Sequence, residues 1–358
     1  MNSQYQYNNN SFLVLFLAPV RSYLEDDSVS EILINGPGDV YVERRGRLEH
    51  VDAKFVSEQA LHAAAANIAK SVGRLLDDVN PRLDARLPDG SRVHAVIPPL
   101  SRIGTVIAIR KFSRETLTID KMMSFGSLDE PTRKLIRALV LLHKNVLVSG
   151  ATSSGKTCVL NVLSSYIPEG ERVIVIEDAS ELQLQQTHVV PMETRPPDKH
   201  GEGEVTVRDL TKSALRLRPD RIVIGEIRGG ESLDLIQALN TGHAGSMSTI
   251  HANSPEDALR RLETCALLGG VEIPLRALRA QVVSGVDAVI HTARLSDGSR
   301  KIVAISEVLP LENGEYRLQP LQRWHTDSIS EDGTVVGSFE MMETPTFADM
   351  AKIYGVDL

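Results

Sequence analysis

The segment from Asn145 to Thr157 reads NVLVSGATSSGKT. An apolar run that predicts a buried strand leads into a Gly-x-x-x-x-Gly-Lys-Thr sequence, and the apolar positions of a helix follow. Glycines let the backbone curl so that its N–H groups point at phosphate oxygens, and the start of the next helix adds a favourable dipole. The spacing therefore predicts a phosphate-binding loop made of Gly150, Ala151, Thr152, Ser153, Ser154, Gly155, Lys156 and Thr157.

Two side chains of this loop have specific predicted roles. Lys156 would place its ammonium group on the β- and γ-phosphates, and the Thr157 hydroxyl would be a Mg²⁺ ligand. The predicted cofactors are therefore ATP and Mg²⁺. A Gly/Ser-rich turn that matches by chance is the alternative, but strand, loop and helix occur here in the order that nucleotide binding requires.

Two further apolar strands are predicted to deliver carboxylates. The run IVIGE ends in Glu226, and the run VIVIE ends in Glu177. Because ligands bind beyond the carboxyl ends of the strands in open α/β sheets, both side chains should lie near the nucleotide. We predict that Glu226 orients and polarises the attacking water, and that Glu177 contacts Mg²⁺ or its water. Asp178 and Glu181 either join this site or only cap the next turn.

The segment TGHAGSMSTIHAN places His243 and His251 eight residues apart. A neutral imidazole both donates and accepts hydrogen bonds, so the pair could sense the γ-phosphate. Structural histidines with satisfied hydrogen bonds are the alternative. A zinc site is disfavoured because no cysteine or third histidine stands at ligand spacing. Arg228, just after Glu226, can pair with a carboxylate in the same crevice.

Several arginines stand out between residues 82 and 110. Such a set is usually a solvated face. A two-domain ATPase, however, completes its site with guanidinium groups from elsewhere, each typically worth about 10³–10⁵ in rate. We predict that Arg86, Arg92 and Arg110 reach the nucleotide from the N-terminal domain of the same or a neighbouring subunit.

The composition fits a globular protein of two domains. The 358 residues are 42% hydrophobic and 24% charged. The formal charge of −8 argues against broad nucleic-acid binding. The two cysteines, Cys158 and Cys265, are not spaced like a disulfide framework or a zinc site. Such sparse cysteine use is typical of a protein in a reducing cytoplasm.

The pattern of apolar residues predicts two folded regions. From about residue 28 strands and a helix alternate, and the helix begins after Ser57 with apolar positions from Leu61 to Leu75. Farther on, four apolar strands alternate with helices, which predicts a mostly parallel sheet covered on both faces. The predicted borders are a 1–27 tail with an amphipathic helix, a 28–112 α/β domain, a 113–130 linker, a 131–310 ATPase domain and a 311–358 C-terminal extension.

The amphipathic helix is predicted from Leu13, Phe16, Leu17, Val20 and Leu24, which share one helical face. The apolar stretch is too short to span a bilayer. We interpret it as a helix docked on the protein. A role at a membrane surface is the alternative, although its polar side is not enriched in Lys or Arg.

Taken together, these segments resemble the secretion and pilus-assembly ATPases of type II and type IV secretion. The resemblance rests on the phosphate loop, the acidic box VIVIEDASEL, the strand RPDRIVIGEIRG and the histidine box TGHAGSMSTIHAN. It runs from about Ser28 to Val308. The segments SEILINGPGDVYVERRGRL and RLDARLPDGSRVHAVIPPL further resemble the tight-adherence (Flp) pilus branch, which is CpaF-like. Ala244 stands where members of this family often carry an acid.

The resemblance implies an α/β fold, with an N-terminal α+β domain followed by a RecA-like P-loop NTPase domain with a mostly parallel central sheet. It also implies a hexameric ring that is cytoplasmic, peripheral at a bacterial inner membrane, and acts on a platform protein there. By position, the family's roles fall on Lys156 and Thr157, on Glu226 and Glu177, and on His243 and His251.

Three functions compete at this stage. The first is an ATP-hydrolysing motor for pilus assembly or protein secretion, with no direct nucleic-acid partner. The second is a conjugation motor or nucleic-acid translocase on the same core, which the negative charge and the 4% aromatic content disfavour. The third is a nucleotide-dependent regulator or scaffold without catalysis.

Overall fold

The computed structural model describes residues 16–44, 46–87, 89–112, 117–197 and 201–358. The chain divides into two compact units, Met1–Glu115 and Thr116–Leu358. The predicted amphipathic helix lies partly outside the described residues. Its described part forms a single 3₁₀ turn, Ala18–Val20, and then helix α1, Arg21–Glu25. Leu17, Val20 and Leu24 are buried, as the docked interpretation requires.

The N-terminal unit is an antiparallel sheet with a helix against its buried face. The described strands follow the order β3-β2-β1-β6-β5-β4. Helix α2, Glu58–Ser71, begins where predicted because the Ser57 hydroxyl accepts a hydrogen bond from the Ala60 N–H at 3.2 Å. The strands are β1 Val29–Ile34, β2 Val40–Arg44, β3 Arg47–Val51, β4 Arg82–Arg86, β5 Arg92–Val96 and β6 Val106–Arg110.

The prediction for this unit was wrong in two places. Leu75 was assigned to the apolar face of α2, but the helix ends at Ser71 and Leu75 is 68% exposed. Strands β3 and β4 were not predicted. β3 lacks the alternation of buried and exposed residues that indicates a strand, and three of the five residues of β4 are charged. Cross-strand pairing with β2 and β5 stabilises them instead.

The C-terminal unit is built on a larger sheet with the order β15-β14-β13-β12-β7-β11-β10-β8-β9. From β12 to β9 the neighbours run parallel, and from β12 to β15 they run antiparallel. The α/β fold and the mostly parallel sheet around the phosphate loop are thus confirmed. The strands are β7 Val146–Gly150, β8 Val173–Glu177, β9 Val189–Glu193, β10 Arg221–Ile227, β11 Met247–His251, β12 Ala288–Arg294, β13 Arg300–Glu312, β14 Glu315–Ile329 and β15 Val335–Met341.

Helices cover both faces of this sheet. Val146 and Val148 of β7 pack into one apolar core, and Leu147 between them packs into the other. This two-sided burial explains why the central strands are continuous apolar runs. The helices are α3 Ile119–Ser124, α4 Glu130–Leu141, α5 Lys156–Ser164, α6 Val207–Ala214, α7 Glu231–Leu239, α8 Pro255–Leu267, α9 Leu275–Gly285 and α10 Ala348–Ile353.

Two predicted borders do not match the structure of this unit. The segment 113–130, predicted to be an irregular linker, contains α3, whose Met122 is 4% exposed and belongs to the core. The border at residue 310 falls inside β13. The segment 311–358 adds β14 and β15 to the same sheet, because β13 pairs with β14 as well as with β12.

Arg221, the first residue of the inner strand β10, is a buried arginine that links several neighbouring segments. The Arg221 side chain is fully buried, and its Nε donates to Glu171 Oε2 at 2.5 Å. Its Nη2 donates to the Val140 carbonyl at 3.0 Å and its Nη1 to the Gly245 carbonyl at 3.4 Å. Burying this charge is tolerated because it is paired and hydrogen-bonded. Among the described residues, no helix is both long and apolar enough to cross a bilayer.

Candidate nucleotide-binding site

The predicted phosphate loop joins the end of β7 to the start of α5. Gly150, Ser153 and Gly155 have positive φ angles of 153°, 59° and 100°. A Cβ atom at position 150 would lie 2.4 Å from the Thr292 carbonyl oxygen, so the loop requires glycine there. The loop therefore has the tight curl that its glycine spacing predicts.

Lys156 is buried under this loop. It is 8% exposed, and its Nζ donates to the carbonyl oxygens of Gly150 and Ala151 at 3.1 and 3.0 Å. A buried ammonium group is costly unless other groups compensate its charge. A phosphate bound in the loop would place negative charge next to it. Thr157 is half-buried in the first turn of α5, one residue farther on.

A chain of contacts joins Lys156 to Glu226 through His251. The His251 Nδ1 lies 3.3 Å from Lys156 Nζ, and its Nε2 lies 2.6 Å from Glu226 Oε1. An ammonium group can only donate, so Nδ1 must accept, and the ring proton therefore sits on Nε2 and is donated to the carboxylate. The three side chains meet because β7, β10 and β11 are neighbouring parallel strands.

The surroundings of His251 keep it neutral. Burial and the Lys156 charge lower its pKa below the ordinary value of 6.5, with smaller contributions from Arg228 and Arg261, while Glu226 opposes them. The unfolded chain protonates His251 near the ordinary pKa, but the folded chain does so only at lower pH. The contribution of His251 to folding stability is therefore present above pH 6.5 and decreases as the pH falls from there toward the lowered pKa.

Arg228 connects Glu226 to Asp178. Its Nε donates to Glu226 Oε2 at 2.5 Å, and its Nη1 donates to Asp178 Oδ2 at 2.9 Å. A second guanidinium nitrogen, Nη2, also contacts Glu226. The predicted pairing of Arg228 with a carboxylate is thus present. Of the two interpretations of Asp178, its contact with Arg228 favours membership of the site.

Glu177 is close to this cluster but makes different contacts. It is 4% exposed, and its Oε1 accepts the backbone N–H groups of Glu181 and Leu182, both at 2.9 Å. A Cβ at position 225 would lie 2.9 Å from the Glu177 Cγ, so Gly225 allows the two strand ends to approach. Glu177 therefore orders the turn after β8. Its contact with Mg²⁺ stays a prediction.

His243 does not join His251. It lies in the turn before β11, where its Nδ1 is 3.2 Å from the Ala238 carbonyl. Met247 pairs with Val146 at the start of β7, whereas His251 pairs with Gly150 at the end. A whole strand therefore separates the two histidines. The prediction that both contact one phosphate is wrong within a subunit, because the eight-residue spacing includes a complete strand.

Three residues beside the loop were not predicted from the sequence. They belong to β12 and β13. In β12, His291 Nδ1 lies 2.8 Å from the Ser149 hydroxyl, and Thr292 Oγ1 lies 2.8 Å from the Ser154 hydroxyl. In β13, Arg300 Nε donates to the Ser153 carbonyl at 2.9 Å. The sequence signal for them was the polar pair His291–Thr292, which directly follows the apolar run AVI. These residues hold the phosphate loop from the side opposite β11.

The three predicted arginines of the N-terminal unit form one row across its sheet. Arg86 pairs with Arg92 on the next strand, and Arg92 pairs with Arg110 on the strand after that. The Arg92 and Arg110 side chains are 45% and 54% exposed, and they contact Asp84 at 2.8 Å and Glu31 at 3.9 Å. The Arg86 Nε donates to the Gly90 carbonyl at 3.0 Å, so each arginine of the row has a partner within the N-terminal unit.

The side chains of the C-terminal unit fit a Mg²⁺–nucleotide complex better than a metal site made by protein alone. Within the described ranges, no three His, Cys, Asp or Glu side chains cluster closely enough to hold a metal ion. Mg²⁺ is commonly held by phosphate oxygens, water and one or two protein groups. The Thr157 hydroxyl at the start of α5 can be such a group.

The loop, the parallel sheet and the strand-end carboxylate define a P-loop nucleotide-binding protein. The chain belongs to the type II/IV secretion system protein family, whose model matches residues 16–313. The predicted family of secretion ATPases is thereby confirmed, and family membership supports nucleotide binding.

Individual relatives align over most of the chain. The type IV secretion system protein PtlH of Bordetella pertussis is 33% identical over 318 residues, covering 80% of this chain and 92% of that protein. The conjugal transfer protein TrbB of Rhizobium radiobacter is 31% identical over 316 residues, covering 87% and 92%. The X-ray structure of the ATPase DotB of Legionella pneumophila has a TM-score of 0.57 at 20% identity, over 82% of this chain and 80% of that one, and supports the fold alone.

The contact between Lys156 and His251 leads to a prediction about the His251 pKa. Lys156→Met removes the charge that opposes protonation of the ring, so the pKa should rise toward 6.5. Titration of the histidine Cε1–H signals by NMR measures the change. Lys144→Met is the matched control, since Lys144 pairs with Asp287 at 2.9 Å instead. An unchanged His251 pKa in Lys156→Met would contradict the contact.

Proposed function

We propose that this protein is an ATP-hydrolysing motor that powers protein secretion or pilus assembly. The observation that carries the proposal is the chain of contacts from Lys156 through His251 to Glu226. A loop that only held nucleotide would not need a strand-end carboxylate connected to its lysine. The family of secretion ATPases, to which the chain belongs, supports the same activity.

The geometry suggests how hydrolysis would proceed. Glu226 would orient the attacking water, and its two partners, Arg228 and His251, hold the carboxylate in place through contacts to both of its oxygens. Lys156 and the N–H groups of residues 150–157 would bind the phosphates, and the Thr157 hydroxyl would hold Mg²⁺, which would supply positive charge beside the phosphates. Phosphate oxygens would compete with His251 for the Lys156 ammonium group. Nucleotide binding would therefore alter the hydrogen bonding of Glu226.

Substitution of Glu226 distinguishes a catalytic motor from a nucleotide-binding scaffold that does not hydrolyse ATP. Glu226→Gln should bind a fluorescent ATP analogue within about twofold of wild type but lose turnover by roughly 10²–10³, because an amide cannot accept the water's proton. Phosphate release and equilibrium binding measure the two effects. Glu193→Gln, at the end of the edge strand β9, is the control and should hydrolyse normally. Normal turnover in Glu226→Gln would remove Glu226 from the reaction.

The arginine row of the N-terminal unit is proposed to supply the remaining positive charge. Arg86, Arg92 and Arg110 would stabilise the γ-phosphoryl group from the same or a neighbouring subunit. Their placement directly opposite one another on three strands supports this role, since it concentrates positive charge in one row of the sheet.

Alanine substitutions in this row should affect turnover more than folding. Arg92→Ala or Arg110→Ala should lower kcat by about 10³, the lower end of the range for an arginine finger. The thermal unfolding midpoint should stay close to that of wild type. Arg82→Ala, which removes an exposed arginine of the same strand as Arg86, is the control and should leave both quantities unchanged. If all variants have the same kcat as wild type, the arginine row is only a solvent-exposed surface.

The assembly and surroundings of the motor are part of the proposal. We propose a homo-hexameric ring, because head-to-tail contacts between identical subunits close into rings when the rotation permits. The ring would lie in the cytoplasm, peripheral at a bacterial inner membrane, and would act on a platform protein there. The transported material would be pilin or another protein substrate.

A conjugation motor is the second candidate, and the TrbB relative favours it. We expect single-stranded DNA to leave the ATPase rate within about twofold, because the net charge of −8 offers little attraction to a polyanion. ATPase assays with and without single-stranded DNA, at low and physiological salt, test this. Strong, salt-dependent stimulation by DNA would favour a DNA-transfer motor over the secretion motor.

A further inference from the structure

The tip of the phosphate loop contains a residue in an unfavourable backbone conformation. Ser153 has a φ angle of 59°, in the left-handed region that residues with a Cβ rarely adopt. Its neighbours with positive φ, Gly150 and Gly155, are glycines and adopt such angles without this steric penalty. A residue persists in such a conformation only when the surrounding structure holds it there.

Arg300 makes the contact that can do so. Its Nε donates to the Ser153 carbonyl at 2.9 Å, and its Cδ would lie 3.6 Å from a Cβ built at Gly155. The side chain thus lies across the loop tip. Its own position is fixed by the sheet, because Arg300 opens β13 and pairs there with Arg294 of β12.

The direction of this hydrogen bond determines where the next N–H group points. In a trans peptide, the carbonyl oxygen and the N–H group of one unit point in opposite directions. With the Ser153 carbonyl held on Arg300, the Ser154 N–H must face the other way. There it donates a hydrogen bond to the Ala151 carbonyl at 3.3 Å across the loop, and a phosphate oxygen bound in the loop would compete for this N–H group.

We propose that Arg300 is a positioning residue that holds Ser153 in the left-handed conformation and thereby turns the Ser154 N–H into the curl of the loop, where a nucleotide phosphate would accept it in place of the Ala151 carbonyl. The inference rests on the proposed nucleotide binding at this loop. Arg300 contributes through the backbone geometry of the loop, from a strand outside the phosphate-binding motif. A purely structural role, in which Arg300 only supports the β12–β13 hairpin, makes different predictions.

Binding of a fluorescent ADP analogue to purified protein tests the proposal. Arg300→Ala should weaken binding about tenfold to a hundredfold, which corresponds to the cost of a residue in a strained conformation. Arg294→Ala, on the paired position of the same hairpin, should bind within about twofold of wild type and shows the effect of hairpin stability alone. Arg300→Lys keeps the charge but lacks Nε, so it should fall between them.

A second substitution distinguishes positioning from structural support. Ser153→Gly removes the penalty for a positive φ, so Arg300→Ala should cost less than about threefold in binding when Ser153 is glycine. Additive losses in the double variant, or full affinity in Arg300→Ala, would overturn the positioning role. If Arg300→Ala does not fold, Arg300→Lys with and without Ser153→Gly gives the same comparison. Absence of binding in wild type would instead overturn the proposed function.

Discussion

The candidate site depends on one neutral imidazole placed between two opposite charges. His251 accepts from the Lys156 ammonium group and donates to the Glu226 carboxylate, which is possible only in the tautomer with the proton on Nε2. Burial disfavours a charged ring, and protonation would also place a positive charge beside Lys156, so the pKa of His251 is lowered for both reasons. The proposed phosphate-binding lysine and the proposed catalytic carboxylate are therefore not independent groups.

The parallel sheet makes this contact possible. β7 lies between β11 and β12, so the phosphate loop has the histidine strand on one side and the β12–β13 hairpin on the other. Gly225 lets the ends of β8 and β10 approach, which brings the acidic turn after Glu177 close to Glu226. Arg228 then joins Asp178 to Glu226. Each charged group of the cluster is thus oriented by a neighbour from another strand.

The sequence predicted those parts of the site that depend on local patterns. The phosphate loop, the strand that delivers Glu226 and the strand before His251 each follow from spacing within a few residues. His243 was misplaced because spacing alone does not say that a strand intervenes. Thr292 and Arg300 were missed because strand pairing, which no short motif encodes, brings their side chains beside the loop. The linker was misjudged because Met122 of α3 is buried by distant residues, although its own segment is mostly polar.

The long strand β13 has a consequence for how the chain can be divided. It pairs along one side with β12, which touches the phosphate loop, and along the other with β14. Expression of a fragment that stops near residue 310 would cut this strand and uncover its hydrogen-bonding edge. Unpaired strand edges promote aggregation. The smallest piece suitable for biochemistry at this site therefore includes the last strands of the chain.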